Sequence, residues 1–186
     1  DRNTTTQHKF NPHCKYLTWY IDMWELDNGG SEIVSGGVIT GGGGDQSNGG
    51  GVLVAGGTLV MAGGSIVGCS AMSRGGGVCN NGTFIMSDGM IKGCTSPDGQ
   101  YASGGGVRNS NQFTMTGGMI GDPDNENDAS HVYNTSSQET TLTISGNAKI
   151  YTDITNVGIL NADGGEMSGT MTNDTNRYGN RVGGGD

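Results

Sequence analysis

Apolar residues recur in this chain at three fixed phases of a repeating block, each flanked by glycine or polar neighbours. Residues 49–68 read GGGVLVAGGTLVMAGGSIVG, residues 75–93 read GGGVCNNGTFIMSDGMIKG, and residues 104–121 read GGGVRNSNQFTMTGGMIG. Laid under one another, each gives GGGV, a turn, an alternating segment ending in Met, a glycine-containing pair, then Ile and Gly. The pattern continues in altered form. HVYN at 131–134 and NVGI at 156–159 read as replacements for the GGGV strand, and TLTISGNAKI at 141–150 replaces the Met strand together with the Ile strand after it. Upstream, EIVSGGVITGG at 32–42 supplies an earlier copy of the later half.

Three columns of inward-facing candidates emerge. The first is Val52, Val78, Val107, Val132 and Val157, at steps of 26, 29, 25 and 25 residues. The second pairs Leu59, Phe84, Phe113 and Leu142 with Met61, Met86, Met115 and Ile144; the third is Ile39, Ile66, Ile91, Ile120 and Ile150. Alternation with Thr, Ser and Asn is a strand period, not a helical one. Three columns predict three short strands per repeat, separated by turns rich in Gly and Asn. A single such coil cannot bury its apolar side, but stacked coils make a continuous core of like on like. The expected fold is therefore an all-β right-handed parallel solenoid of about five coils, each of 25–30 residues, over residues 31–186. Residues 1–30 stand apart. CKYLTWYIDMWELD at 14–27 contains both tryptophans and no glycine, and it predicts an aromatic cap over the first coil. Trp19, Tyr20 and Trp24 are its contact candidates, with a sugar-stacking platform as the alternative.

Composition sharpens this reading. Glycine contributes 38 of 186 residues, about three times the usual share, and each interior helical glycine costs about 1 kcal/mol relative to alanine. Helix is thus disfavoured over most of the chain. A formal charge of -9 and a sequence pI near 4.5 offer no basic surface for nucleic acid. No run of about 18 apolar residues spans a bilayer as a helix. The opening DRNTTT, without Met, is expected of a processed or excised chain, and NRVGGGD at 180–186 resembles the start of another coil. Asn3, Asn81, Asn134 and Asn173 each open an Asn-x-Ser/Thr sequon, which favours a secreted setting and makes them glycosylation candidates.

Residues 75–94 and 104–121 resemble the right-handed parallel β-helix repeats of secreted and cell-surface proteins, of the polymorphic outer-membrane and adhesin-like kind. TFIMSDGMIKGC at 83–94 is close to their central segment. The resemblance covers residues 31–160. It implies an extracellular or surface-exposed structural or adhesive role, with self-association, other surface proteins or glycans as partners. The fold is shared with pectate-lyase-like enzymes, so catalysis has to be judged from the site.

Cys69 and Cys94 stand where that pattern usually has Asn. They fall in one column of adjacent coils, where the coil spacing suits a disulfide; the alternative is two stacked thiols acting as small apolar groups. Cys14 and Cys79 are a second candidate pair across the cap. Asp122, Asp124, Glu126 and Asp128 alternate within DPDNENDAS at 122–130, and oxygen ligands so spaced could wrap Ca²⁺. The EF-hand pattern fails because Asn127 stands where it needs Gly, so a solvated acidic loop is the competing expectation. A metal set of His8, His13 and Cys14 lacks the usual spacing. Acid–base candidates, namely Asp88, Lys92, Arg74, Arg108 and Asp98, are sparse and never recur as a pair, and His131 has no evident nucleophile beside it. A non-enzymatic structural module is the expectation, and a polysaccharide lyase, hydrolase or glycan binder is the alternative. Outward positions beside the Met column form a ladder that includes Thr58, Thr83, Thr114, Thr141 and Thr143. Such a ladder suits ice, a glycan or a second solenoid, or simply reflects β-propensity.

Overall fold

The computed structural model describes residues 24–26, 31–34, 38–40, 43–44, 49–96, 104–126, 128–135, 139–173 and 182–184. These contain strands and turns and no helix. The architecture is a parallel β-helix. Its first sheet stacks seven strands in chain order: Trp24–Leu26, Val52–Val54, Val78–Asn80, Val107–Asn109, Val132–Asn134, Ile154–Asn156 and Met171–Asn173. Each strand is parallel to its neighbours, and the register matches the columns: Val52 pairs with Val78, Val78 with Val107, and Val107 with Val132.

The second sheet runs from Ser31–Val34 and Val38–Thr40 through Thr58–Val67, Thr83–Lys92, Gln112–Met115 with Met119–Ile120, Thr141–Ile150 and Ile159–Met167 to Val182–Gly184. Here the structure differs from three separate strands. In Thr58–Val67, Thr83–Lys92 and Thr141–Ile150 the second and third expected strands run on as one bent strand of ten residues. Glycines make the bend. Gly89 within the second of these strands has φ of 98°, and Gly118, at the same corner of the next coil where the two strands stay separate, has φ of 80°; a Cβ at either would stand 2.7 Å from the Cε of Met61 or Met86 in the preceding coil. A side chain there would meet both backbone strain and the methionine column. A third, two-stranded ladder pairs Gly43–Gly44 with Ser70–Ala71, and a bridge from Ser70 to Thr95 extends it.

Inside the coil the columns are sealed. Val52, Met61, Val78, Phe84, Met86, Ile91, Val107, Met115, Ile120, Val132, Leu142, Ile144 and Ile150 have no exposed surface. Phe84 and Phe113 stack with ring centroids 4.5 Å apart and planes 9° from parallel, the contact expected when like side chains repeat at strand spacing.

One column member is corrected. Val132 pairs with Ile154, not with Val157; Val157 comes after that strand, and its amide donates to the Asn134 carbonyl. The coils also shorten. Successive equivalent asparagines lie 29, 25, 22 and 17 residues apart, so the last two coils fall below the expected 25–30. Only Tyr151, Thr152 and Asp153 separate Ile150 from Ile154, where earlier coils insert a GGG-bearing turn.

Those asparagines are the polar part of the core. Asn80, Asn109, Asn134 and Asn156 are wholly buried. The Asn80 side-chain amide donates to Asn109 Oδ1 at 2.7 Å, Asn109 to Asn134 at 2.7 Å, Asn134 to Asn156 at 2.7 Å, and Asn156 to Asn173 at 3.0 Å. The second amide proton is used as well. Asn80, Asn109 and Asn134 donate to the carbonyls of Gln112, Thr141 and Ile159 at 2.8, 3.0 and 3.0 Å. Each of these three carboxamides thus links the first sheet to the second and one coil to the next. Removing one leaves buried partners unsatisfied, at a cost of about 1–3 kcal/mol each. Asn109→Ala is therefore expected to lower stability by roughly 2–4 kcal/mol, against roughly 0.5 or less for exposed Glu126→Ala. Urea denaturation of the two variants beside the parent chain checks the difference.

Candidate functional site

Three features carry polar or reactive side chains. The first is the flat face of the second sheet. Thr58, Thr83, Gln112, Thr141 and Ile159 form one file, and Val60, Ile85, Thr114, Thr143 and Asn161 form the next. Strand alternation turns these residues outward while Leu59, Phe84, Phe113 and Leu142 point in. Around the bend beside this face lies an open groove of about 530 Å³, lined by Ser87, Asp88, Thr116, Met119, Asn147 and Lys149. Lys149 Nζ lies 3.7 Å from Glu166 Oε2 on the next coil.

The second feature is the acidic loop. Its carboxylates turn in different directions. Asp122 Oδ2 accepts from Lys92 Nζ at 3.0 Å, and its Oδ1 accepts from the Asp124 amide at 3.1 Å. Asp128 is buried and accepts from the amides of Gly93 and Ser130, so it holds the loop against the preceding coil. Asp124 and Glu126 are exposed. Among the described residues no group of three or more His, Cys, Asp or Glu side chains is placed to hold a metal ion. The four alternating acids are thus not brought together as a calcium cage, and the loop's internal contacts are those of a docked surface turn.

Beside that loop, Asp122, Glu126, His131, Tyr151, Thr152 and Asp153 line a cavity of about 290 Å³. Thr152 Oγ1 lies 3.2 Å from His131 Nδ1, and Asp153 Oδ2 lies 4.0 Å from the same nitrogen. A hydroxyl beside His131 is therefore present that sequence spacing did not anticipate. A nucleophile–base–acid relay needs the hydroxyl and the carboxylate on opposite ring nitrogens. Here both address Nδ1, and Asp153 Oδ1 accepts from the Thr170 amide at 2.8 Å. The three groups therefore do not have the layout of that relay.

The third feature is the cysteines. Cys69, Cys79 and Cys94 are buried and stand as thiols, not as disulfides, in this structure. Cys69 and Cys94 sit in consecutive coils in the core, as their column predicted. The neighbouring Cys69 sulfur, and then burial, push the Cys94 thiol far above its ordinary range. Cys79 is elsewhere, on the outward side of the first sheet in register with Leu53 and Arg108. Burial pushes its thiol up, partly opposed by the Arg108 and Arg74 charges. Burial in turn lowers the Arg108 pKa, and the Arg108 guanidinium donates to Ser110 Oγ.

The remaining candidates divide by burial. Asn81 and Asn173 are exposed, but Asn134 is an interior rung of the asparagine ladder. Its sequon is closed in the folded chain, which corrects the expectation for that position. Trp24 lies in the first sheet, in register with Val52, so this part of the aromatic segment continues the stack edge to edge. Asn3, Cys14, Trp19, Tyr20, His8, His13 and Asp98 lie outside the described residues.

Comparison of the chain with protein-family models, curated proteins and solved structures returns no match. The ladder asparagines are the residues that sequence reasoning missed, although the signal is present. Each stands two residues after a first-column residue, in VCN, VRN, VYN, ITN and MTN, and therefore faces inward with it. That motif also selects Ile154 over Val157.

The Lys92 contact sets a pH dependence. Hydrogen bonding from Lys92 holds the Asp122 carboxyl below its usual range. A depressed carboxyl pKa stabilises above the unfolded value of about 3.9, and that contribution is lost as pH falls through the folded value. Lys92→Met is expected to raise the Asp122 titration midpoint toward about 3.9. Carboxyl-carbon NMR titration of both proteins measures the shift.

Proposed function

We propose that this chain is a non-enzymatic structural module of an extracellular or cell-surface setting, a stiff β-helical rod whose ends associate head to tail. The observation that carries this reading is the stacking itself: the seven strands of the first sheet follow one another in chain order, each parallel to and in register with the next. A coil stacked by parallel pairing offers the same backbone ladder to a further coil, from its own chain or from another copy. Because every rung is parallel, the last coil of one copy matches the first coil of the next without inversion. Such a contact does not close on itself and yields a filament. The resemblance of the GGGV and TFIMSDGMIKGC segments to adhesin-like repeats supports the surface setting.

Glycan binding is the second reading, favoured by the open groove whose Ser87, Asp88, Thr116, Asn147 and Lys149 offer donors and acceptors to hydroxyls. Ice matching needs a regular file of Thr, and here Gln112, Ile159 and Asn161 interrupt both files.

Sedimentation velocity with negative-stain microscopy tests the assembly. The net charge of -9 repels copies at low ionic strength, and salt screens it. Rods of constant width that lengthen with concentration, and more so in salt, are expected. Monomers alone over a wide concentration range, together with binding on a glycan array, would transfer the assignment to the second reading.

A further inference from the structure

The cysteine column places two sulfurs together inside the core. The Gly68 amide donates to the Lys92 carbonyl at 3.1 Å, and the Thr95 amide donates to the Cys69 carbonyl at 2.9 Å. Ser70 bridges Thr95 in parallel, so Cys69 and Cys94 lie in register on successive rungs. Rung spacing of about 4.8 Å falls within the Cα separation that a disulfide spans. Neither cysteine has exposed surface. Their surroundings are tight: a Cβ at Gly51 would stand 3.2 Å from Cys69 Sγ, and one at Gly77 would stand 3.3 Å from Cys94 Sγ. The third glycine of these two GGG runs therefore clears the space that a sulfur fills. The Cys94 amide donates to Ser130 Oγ at 2.9 Å, which ties this rung to the coil beyond it.

We propose that Cys69 and Cys94 form an inter-coil disulfide during folding, and that closure of the core then fixes the redox state the pair has reached. The register brings the sulfurs together as the two coils stack. Full burial and the Gly51 and Gly77 walls deny later access to a thiol or disulfide reagent. The oxidant is a small-molecule disulfide such as oxidised glutathione. One cysteine thiolate attacks its S–S bond, forms a mixed disulfide and expels a glutathione thiolate. The second cysteine thiolate attacks the protein sulfur of that mixed disulfide and expels the other glutathione thiolate. The protein loses two protons and two electrons, and the oxidant is reduced to two thiols. After closure, the neighbouring Cys69 sulfur and then burial push the Cys94 thiol above its ordinary range, which disfavours the attacking thiolate.

Trypsin makes this testable on the unmodified chain. Cleavage after Lys9, Lys15, Arg74, Lys92 and Arg108 leaves Cys69 in peptide 16–74, Cys79 in 75–92 and Cys94 in 93–108, with Cys14 in 10–15. Denatured reduced chain is refolded in a glutathione redox buffer, alkylated, digested and mapped by mass spectrometry. In parallel, folded reduced chain is placed in the same buffer. The expected result is peptide 16–74 joined to 93–108 in the refolded sample, with the folded sample oxidising roughly tenfold or more slowly. Absence of that joined pair, a pair involving Cys79 or Cys14 in its place, or equal rates in the two samples would overturn the proposal.

Discussion

A buried carboxamide has two protons to donate and an oxygen to satisfy, and in this core both needs are met by the neighbouring coils. The file from Asn80 to Asn173 runs through five coils at 2.7–3.0 Å per link. Parallel pairing alone would tolerate a slip of two residues, since the same faces would still point inward. The ladder does not tolerate it, because a slipped Asn would sit buried with neither its amide nor its oxygen paired. The phase of every coil relative to the next therefore rests on one polar column. It also explains how coils as unequal as 29 and 17 residues stack in one register: loop length changes outside the column, while the column stays aligned.

Other features depend on that alignment. With coils locked in phase, like side chains stack on like, and the Phe84–Phe113 contact and the methionine column result. The same alignment makes corners stack on corners, where close approach of backbones leaves no room for a side chain. A Cβ at Gly50 would collide with the carbonyl oxygens of Ser70 and Gly76, and one at Gly76 with those of Thr95 and Gly105. The high glycine content is thus a packing requirement of a stacked fold, although it looks like the composition of a flexible linker. The outward faces carry the residual freedom, and it is there that Lys92, Asp122, His131 and Asp153 appear.

Most of the architecture is legible in the sequence because the core is written as repetition. Once Val52, Val78 and Val107 are aligned, the Phe and Ile columns fall into place, and the structure keeps them there. Reading fails where repetition decays. Val157 sits in the quartet NVGI, which imitates the GGGV strand, but the last coils have lost their glycine turns, and only the Asn two positions on identifies Ile154. The bent strands read as separate pairs because a positive-φ glycine such as Gly89 marks a turn in sequence and only a bend within a ladder in space. The surface is much less legible. Asp122 finds Lys92 30 residues away, and Thr152 finds His131 21 residues away, through coil stacking that no local spacing encodes. Burial is equally invisible at Asn134, whose sequon reads like that of exposed Asn81.

The most direct test of the ladder is hydrogen exchange at the side-chain amides of Asn80, Asn109, Asn134 and Asn156, monitored by NMR. Exposed carboxamides exchange freely with water, whereas a proton held in a buried ladder exchanges only when coils separate. These four carboxamides are expected to exchange as slowly as the backbone amides of Val78, Val107 and Val132, and far more slowly than exposed Asn81. Exchange of the four at the rate of Asn81, with those backbone amides still protected, would contradict the ladder as the element that sets the register.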